Sequence, residues 1–131
     1  MLVDSNVILD VVTEDPNWGD WSAEQLEIHA NQAVLVINPL IYSEVSVGFE
    51  RIEELEDVLS DDFFHREPLP WEAAFLAGKA FLSYRRRSGT RRSPLPDFYI
   101  GAHAAVRDYR LLTRDRSRYE TYFPPVEIIA P

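Results

Sequence analysis

Residues 34–40 read Val34-Leu35-Val36-Ile37-Asn38-Pro39-Leu40. Four successive apolar side chains leave no polar face for water, so this run predicts a short strand buried on both sides. Asn38-Pro39 ends it, and Pro39 suits the first turn of a following helix, where a backbone N–H would lack a partner anyway. Working outward, the same apolar signature opens the chain at Met1-Leu2-Val3 and returns at Leu111-Leu112-Thr113. Between these runs the periodicity turns helical. It predicts helices over about 5–13, over 20–32 through Trp21, Leu26 and Ala30, and over 40–48. A further helix, about 50–60, carries Ile52, Leu55, Val58 and Leu59 on one face, and 63–67 can form a third strand.

A long helix is expected from near Pro70 to about Arg87, stopped by Ser88-Gly89, with 88–96 a surface loop. Pro96-Asp97 opens a helix to about Arg107, because Ile100, Ala104 and Ala105 share a face. Residues 110–113 and 126–129 complete five short strands, with a helical turn at 116–121 between them. Strands that alternate with helices and are apolar throughout predict a parallel sheet covered on both faces, in one α/β domain spanning residues 1–131.

The chain has 131 residues, 46% of them hydrophobic and 12% aromatic, which supports a packed core rather than disorder. Cysteine is absent, so neither disulfides nor thiolate metal sites arise, and a reducing, cytoplasmic setting is favoured. No apolar stretch approaches the roughly 20 residues that span a bilayer, so neither a signal peptide nor a membrane anchor is expected. The net charge of −9 is unevenly divided: residues 1–65 carry −14 and residues 66–131 carry +5. Twelve of the thirteen basic residues are arginine, the type suited to forked phosphate contacts. They cluster at Arg85-Arg86-Arg87, at Arg91-Arg92, and at Arg114, Arg116 and Arg118, either as solvated surface or as contacts to a phosphate chain.

Four acids stand where a fold gains little from them. Asp4 ends the first strand, Asp115 follows the fourth, Glu44 interrupts the apolar face of Leu40-Ile41-Tyr42-Ser43, and Asp97 sits in the first turn of its helix. Each has an ordinary explanation: a hydrogen-bonded strand end, a turn, a solvated helix position, a helix cap favoured by the macrodipole. Invoking four such explanations separately is strained. If the four converge, their repulsion calls for a counter-ion, and oxygen ligands without cysteine or a histidine pair point to Mg²⁺ or Mn²⁺. Such an ion lowers the pKa of a bound water for attack on a phosphodiester. Ser5, Asn6 and Thr113 stand beside two of the carboxylates and can orient them or their waters, or serve as helix caps and strand polarity. His29 is expected on a polar helix surface, His65 in a loop or edge strand, and His103 packed or solvated rather than catalytic. Trp18, Trp21 and Trp71 are expected as core or lid residues.

Four segments together resemble the PIN-domain ribonucleases, and most closely the VapC-type toxins of toxin–antitoxin pairs. They are Leu2-Val3-Asp4-Ser5-Asn6-Val7-Ile8-Leu9, Asn38-Pro39-Leu40-Ile41-Tyr42-Ser43-Glu44, Leu95-Pro96-Asp97-Phe98-Tyr99-Ile100-Gly101-Ala102-His103-Ala104, and Leu111-Leu112-Thr113-Arg114-Asp115 followed by Tyr122-Phe123-Pro124. The resemblance covers essentially the whole chain. It implies a three-layer α/β/α sandwich, Mg²⁺-dependent (or Mn²⁺-dependent) endoribonuclease activity on structured RNA such as tRNA or rRNA, a homodimer, and a VapB-type antitoxin that blocks the acidic pocket. By position it implies Asp4, Asp97 and Glu44 as metal ligands, with Asp115 positioning a second ion or a water. In many relatives the last acid comes three residues later, where this chain has Arg118. The arginines at 85–87, 91–92, 114 and 116 would then face RNA. An apolar groove along the helices at 40–60 is the expected antitoxin dock.

Two other phosphoryl chemistries fail on residue type. A haloacid-dehalogenase-like phosphatase needs a second Asp two residues after the first, and Asn6 stands there; a phosphoacceptor receiver needs paired early acids and a late lysine. The rivals left are a catalytically silent PIN module that only binds, and a PIN ribonuclease of RNA processing outside a toxin pair.

Overall fold

Five parallel strands form the sheet in a computed structural model that describes residues 1–88 and 95–131: β1 (Leu2–Val3), β2 (Leu35–Ile37), β3 (Phe64–Arg66), β4 (Leu111–Leu112) and β5 (Ile128–Ile129). Their order across the sheet is β3-β2-β1-β4-β5. Leu2 sits opposite Val36 on one side and Leu111 on the other, and Val3 opposite Leu112. Both residues of β1 are fully buried, as expected for the central strand of a sheet covered on both faces. Val34 is 65% exposed, so the second strand begins one residue later than its apolar run.

From β1 the chain steps outward to β2 and β3, then returns to the far side of β1 for β4 and β5. Right-handed crossovers therefore place the helices in two groups. On one face lie α1 (Ser5–Val12), α2 (Gly19–Ala30), α3 (Pro39–Ser46) and α4 (Ile52–Val58); on the other lie α5 (Trp71–Ser88), α6 (Leu95–Val106) and α7 (Arg116–Glu120). The packing agrees: α1 touches α2 and α3, α3 touches α4, α5 runs along α6, and α6 meets α7. This is the expected three-layer sandwich. The reversal of direction falls between β1 and β4, the switch point at which open α/β sheets leave a crevice beyond the carboxyl ends of their strands.

A buried polar strut ties the carboxyl end of β2 to α6. Asn38 caps α3 by accepting the Ile41 N–H at 2.9 Å, which turns its amide NH₂ toward His103 Nδ1, also at 2.9 Å. His103 is fully buried, its Nε2 lies 3.3 Å from Glu67, and Tyr109 donates to the same carboxylate at 2.6 Å. One tautomer, protonated on Nε2, satisfies both neighbours. Burial lowers the His103 pKa, and its place is packing, as its spacing from Asp97 suggested.

Two expectations fail. His29 is buried, not on a polar surface, because it follows Ser22 and Leu26 along the α2 stripe facing the core. Trp71 is not in the core. It is 89% exposed, since α5 buries Ala73, Ala77, Ala80 and Tyr84, and Trp71 shares the opposite stripe with Phe75. His65 lies exposed on the edge strand β3, as expected. Arg91 and Arg92 lie outside the described residues. Among the described residues, no helix is long and apolar enough to cross a membrane.

Candidate active site

Asp4 stands at the mouth of the switch point, where β1 gives way to α1. Its backbone is extended, and its Oδ1 accepts the Ser5 N–H at 2.8 Å, so it caps the helix. Its Oδ2 accepts two hydroxyls, Thr113 Oγ1 from the end of β4 and Tyr119 OH from α7, each at 2.8 Å. Asp4 is only 2% exposed. Burial raises its pKa above the usual carboxylate value, and the three donors oppose the rise without cancelling it.

The second acid reaches Asp4 through a serine. Ser5 Oγ lies 3.0 Å from Glu44 Oε1 and 3.4 Å from Asp4 Oδ1, so a single hydroxyl proton serves two carboxylates. Burial raises the Glu44 pKa, and the charges of Asp4 and Asp97 push it the same way. Asp97 occupies the first turn of α6, where Pro96 leaves the helix N-terminus open, and it too is buried. Its pKa is raised by burial, with Asp4 and Asp115 adding repulsion and Arg118 opposing it.

Asp115 lies at the start of α7, and Arg118 joins it to Asp97. The guanidinium places Nη2 3.0 Å from Asp115 and Nη1 3.4 Å from Asp97. The four acids thus face one cleft as two pairs: Asp4 with Glu44 through Ser5, and Asp97 with Asp115 through Arg118. Thr113 fixes the frame. It is fully buried, gives its proton to Asp4, and accepts the Asp115 N–H at 3.1 Å and the Asn6 amide at 3.4 Å, which fills its bonding capacity. Asn6 Oδ1 accepts the Arg114 N–H at 3.2 Å and holds the exit of β4.

The basic residues divide. Arg85, Arg86 and Arg87 are exposed at the carboxyl end of α5, and Arg87 lies over the ring of Tyr122, which packs against Phe98 beside Asp97. Arg116 is exposed and reaches Ile128 O at 3.5 Å. Arg114 turns inward: its Nε donates to Asp10 at 2.7 Å, and it stacks on Trp18 at 5.8 Å. Asp10 is buried and also accepts Ser22 Oγ at 2.7 Å, a polar link that locks α1, α2 and the β4 exit together.

Sequence reasoning missed Tyr119 and the double engagement of Arg118. Tyr119 is fully buried, and burial together with the charge of Asp4 holds its phenol far from ionisation. Its signal was present only as the aromatic of a five-residue helix following Asp115.

The donor set suits a hard divalent cation: carboxylates alone, three of them raised by burial, with one arginine facing two of the four acids. Among the described residues, however, no three acidic or imidazole side chains are already gathered in ligand geometry. The two pairs feel each other's charge but do not close on one point.

Acids at the switch point of a parallel sheet occur in several α/β families, and the comparisons separate them. The family model described as PIN domain matches residues 1–124, and the chain belongs to that family. No curated protein sequence gives a match. Among solved structures, the chain is similar to one of VapBC2 from Rickettsia felis bound to a DNA fragment from its promoter, with 15% identity, a TM-score of 0.74, and coverage of 99% of this chain and 97% of that one. It is similar to DNA-bound VapBC from Salmonella typhimurium at 19% identity and a TM-score of 0.70, covering 98% and 96%. A toxin–antitoxin complex from Klebsiella pneumoniae follows at 20% identity and a TM-score of 0.68, covering 99% and 96%.

Proposed function

We propose that this chain is a metal-dependent endoribonuclease, the toxin of a toxin–antitoxin pair, that cuts structured RNA such as tRNA or rRNA. The observation that carries the reading is that the Asp4–Glu44 pair and the Asp97–Asp115 pair lie near enough for the charges of each to act on the other. Asp4, Asp97 and Glu44 are the residues to hold Mg²⁺ or Mn²⁺, with Asp115 beside them. A bound ion there supplies a polarised water and neutralises charge on a scissile phosphate. Ser5, Thr113 and Tyr119 orient the carboxylates through their hydroxyls, and Asn6 holds the backbone behind them. Arg85, Arg86 and Arg87, at the end of α5 beside the N-terminus of α6, draw the phosphate chain toward a cleft that would otherwise repel it.

The partner we infer is a VapB-type antitoxin. The α3–α4 side carries a groove of about 300 Å³ lined by Tyr42, Phe49, Ile52 and Leu55. A larger, more apolar one of about 490 Å³ runs between α1, α2 and the end of α4, with Ile8, Val12, Leu26, Val58 and Phe63 in its walls. A homodimer is supported by a separate stripe on α5. Trp71, Phe75 and Leu82 recur at helical spacing and are 89, 70 and 44% exposed.

The test is to sequence the cut ends of total RNA after brief expression, beside an Asp97→Asn control. Discrete new ends absent from the control are expected; identical end profiles from both would sink the nuclease reading. One observation favours a catalytically silent module instead, namely that Arg118 already neutralises half of the acid set.

A further inference from the structure

We propose that Arg118 is a resident cation of the cleft, which a divalent metal must displace from Asp97 before the four acids can close around it. The inference rests on the metal-dependent reading above and names the residue that sets its affinity. Three features carry it. Arg118 bridges the two acids that the Ser5 link does not reach, at 3.0 and 3.4 Å, so it is the cation in direct contact with that pair. Its neighbour Tyr119 is fully buried and bonded to Asp4, which fixes α7 against the site and leaves Arg118 on its rim. The Arg118 side chain is 39% exposed, so it has solvent to swing into. Asp97, with its side chain 6% exposed, would be left buried and charged when the contact breaks, so the incoming cation has to take the place of the guanidinium.

The separation of the acids into two pairs then has a cause. Asp97 Oδ1 lies 3.4 Å from the guanidinium, so that oxygen is shared with Arg118 while the contact lasts. Burial works against the Arg118 charge, yet Asp97 and Asp115 hold the guanidinium more firmly protonated than usual, so it stays a cation at any ordinary pH. Once displaced, the guanidinium is a forked donor suited to a phosphate oxygen pair.

The experiment measures Mn²⁺ binding to the RNA-free protein by the electron paramagnetic resonance of free Mn²⁺. It compares the natural chain with Arg118→Gln, Arg118→Lys and Lys79→Gln. Lys79, stacked on Phe75 of α5, touches none of the acids and controls for net charge. Arg118→Gln is expected to bind Mn²⁺ about tenfold or more tightly, the effect of removing one charge beside the ion. Arg118→Lys should fall between, because an ammonium loses the fork to two carboxylates, and Lys79→Gln should match the natural chain. In a parallel Mg²⁺ titration, the ¹⁵N-resolved Nη signals of Arg118 should change from restricted to free rotation. Equal Mn²⁺ affinity in the natural chain, Arg118→Gln and Arg118→Lys overturns the proposal and leaves the metal site standing. Absence of Mn²⁺ binding in all four proteins removes the metal-dependent reading and this inference together. Should Arg118→Gln fail to fold, Arg118→Lys and the Nη signals carry the same decision.

Discussion

Replacing Glu44 by glutamine should stabilise the metal-free protein at neutral pH. The amide keeps the shape of the side chain and can still accept the Ser5 hydroxyl, so only the charge is removed. The 3.4 and 3.0 Å contacts of Ser5 Oγ, laid end to end, put the facing oxygens of Asp4 and Glu44 within about 6.4 Å. Two unit charges at that distance repel by about 2.6 kcal/mol at an effective dielectric of about 20. Screening at physiological ionic strength, with a Debye length of about 8 Å, leaves roughly 1 kcal/mol. For 131 residues, an unfolding entropy of about 2.1 cal/mol/K per residue converts this to a gain of roughly 4 °C in Tm. The pH dependence carries the sign. The pKa of Glu44 is raised on folding, by burial first and by Asp4 and Asp97 second, so the folded state holds its proton more tightly. Stability of the natural chain therefore falls as pH rises from the ordinary glutamate value of 4.5 through the raised one. The variant lacks this loss, and its advantage should shrink as pH is lowered toward 4.5. Thermal melts in EDTA at low and neutral pH read both features. A variant less stable than the natural chain at pH 7, or an advantage that does not shrink in acid, would show that Glu44 is not held against like charges.

Substituting Arg85, Arg86 and Arg87 together by alanine should reduce the salt dependence of binding to single-stranded RNA by about 2 in log–log slope, at roughly 0.7 per phosphate contact, and an unchanged slope returns them to plain surface. Gly101→Ala should destabilise the fold by about 1–3 kcal/mol, because the new methyl meets the ring of Phe123, itself only 2% exposed; chemical denaturation gives the value. Asp10→Ala should cost about 2 kcal/mol by stranding Arg114 and Ser22, and double substitution with Arg114→Ala should cost less than the two single changes combined. Trp71→Asp with Phe75→Ser should shift sedimentation from dimer to monomer without moving the melting temperature of the monomer, and a natural chain that already sediments as a monomer would dismiss the α5 stripe as an interface.

What the sequence revealed depended on whether the signal was local. The strands were legible because a run such as Leu35-Val36-Ile37, with no polar position, has nowhere to lie except between two layers. Asp4 and Asp97 were legible because each follows a local break, a strand end and a proline-opened helix. Glu44 was legible because it interrupts an apolar face. Tyr119 was not, since its bond to Asp4 spans 115 positions and its short helix has too few residues to show a face. The inward turn of Arg114 was likewise hidden, because its partner Asp10 lies 104 positions earlier on a helix that otherwise reads as apolar. His29 was misplaced for a related reason. The polar residues around it dominate the helix, and only the stripe through Ser22 and Leu26 shows that it faces inward. Charge counting was misleading until divided: the acidic first half supplies Asp4 and Glu44, while the basic second half supplies Asp97, Asp115 and the arginine between them.

The layout of the cleft separates two tasks that often fall to the same residues. Neutral hydroxyls from Ser5, Thr113 and Tyr119 fix the direction of Asp4 and, through Ser5, Glu44 without lending charge. They make a carboxylate oxygen point somewhere while leaving its negative potential largely intact, which is the condition for a strong cation site. The charge compensation sits on the opposite wall, in a flexible arginine on a five-residue helix. A cleft with arginines on both walls would lose its pull on a metal, and one with none would leave Asp97 and Asp115 unpaired in the absence of the ion. Asp4, at 2% exposure and without a direct cationic partner, would on the proposed reading make the Asp4–Glu44 side the wall that anchors an ion, and the Arg118 side the wall that yields.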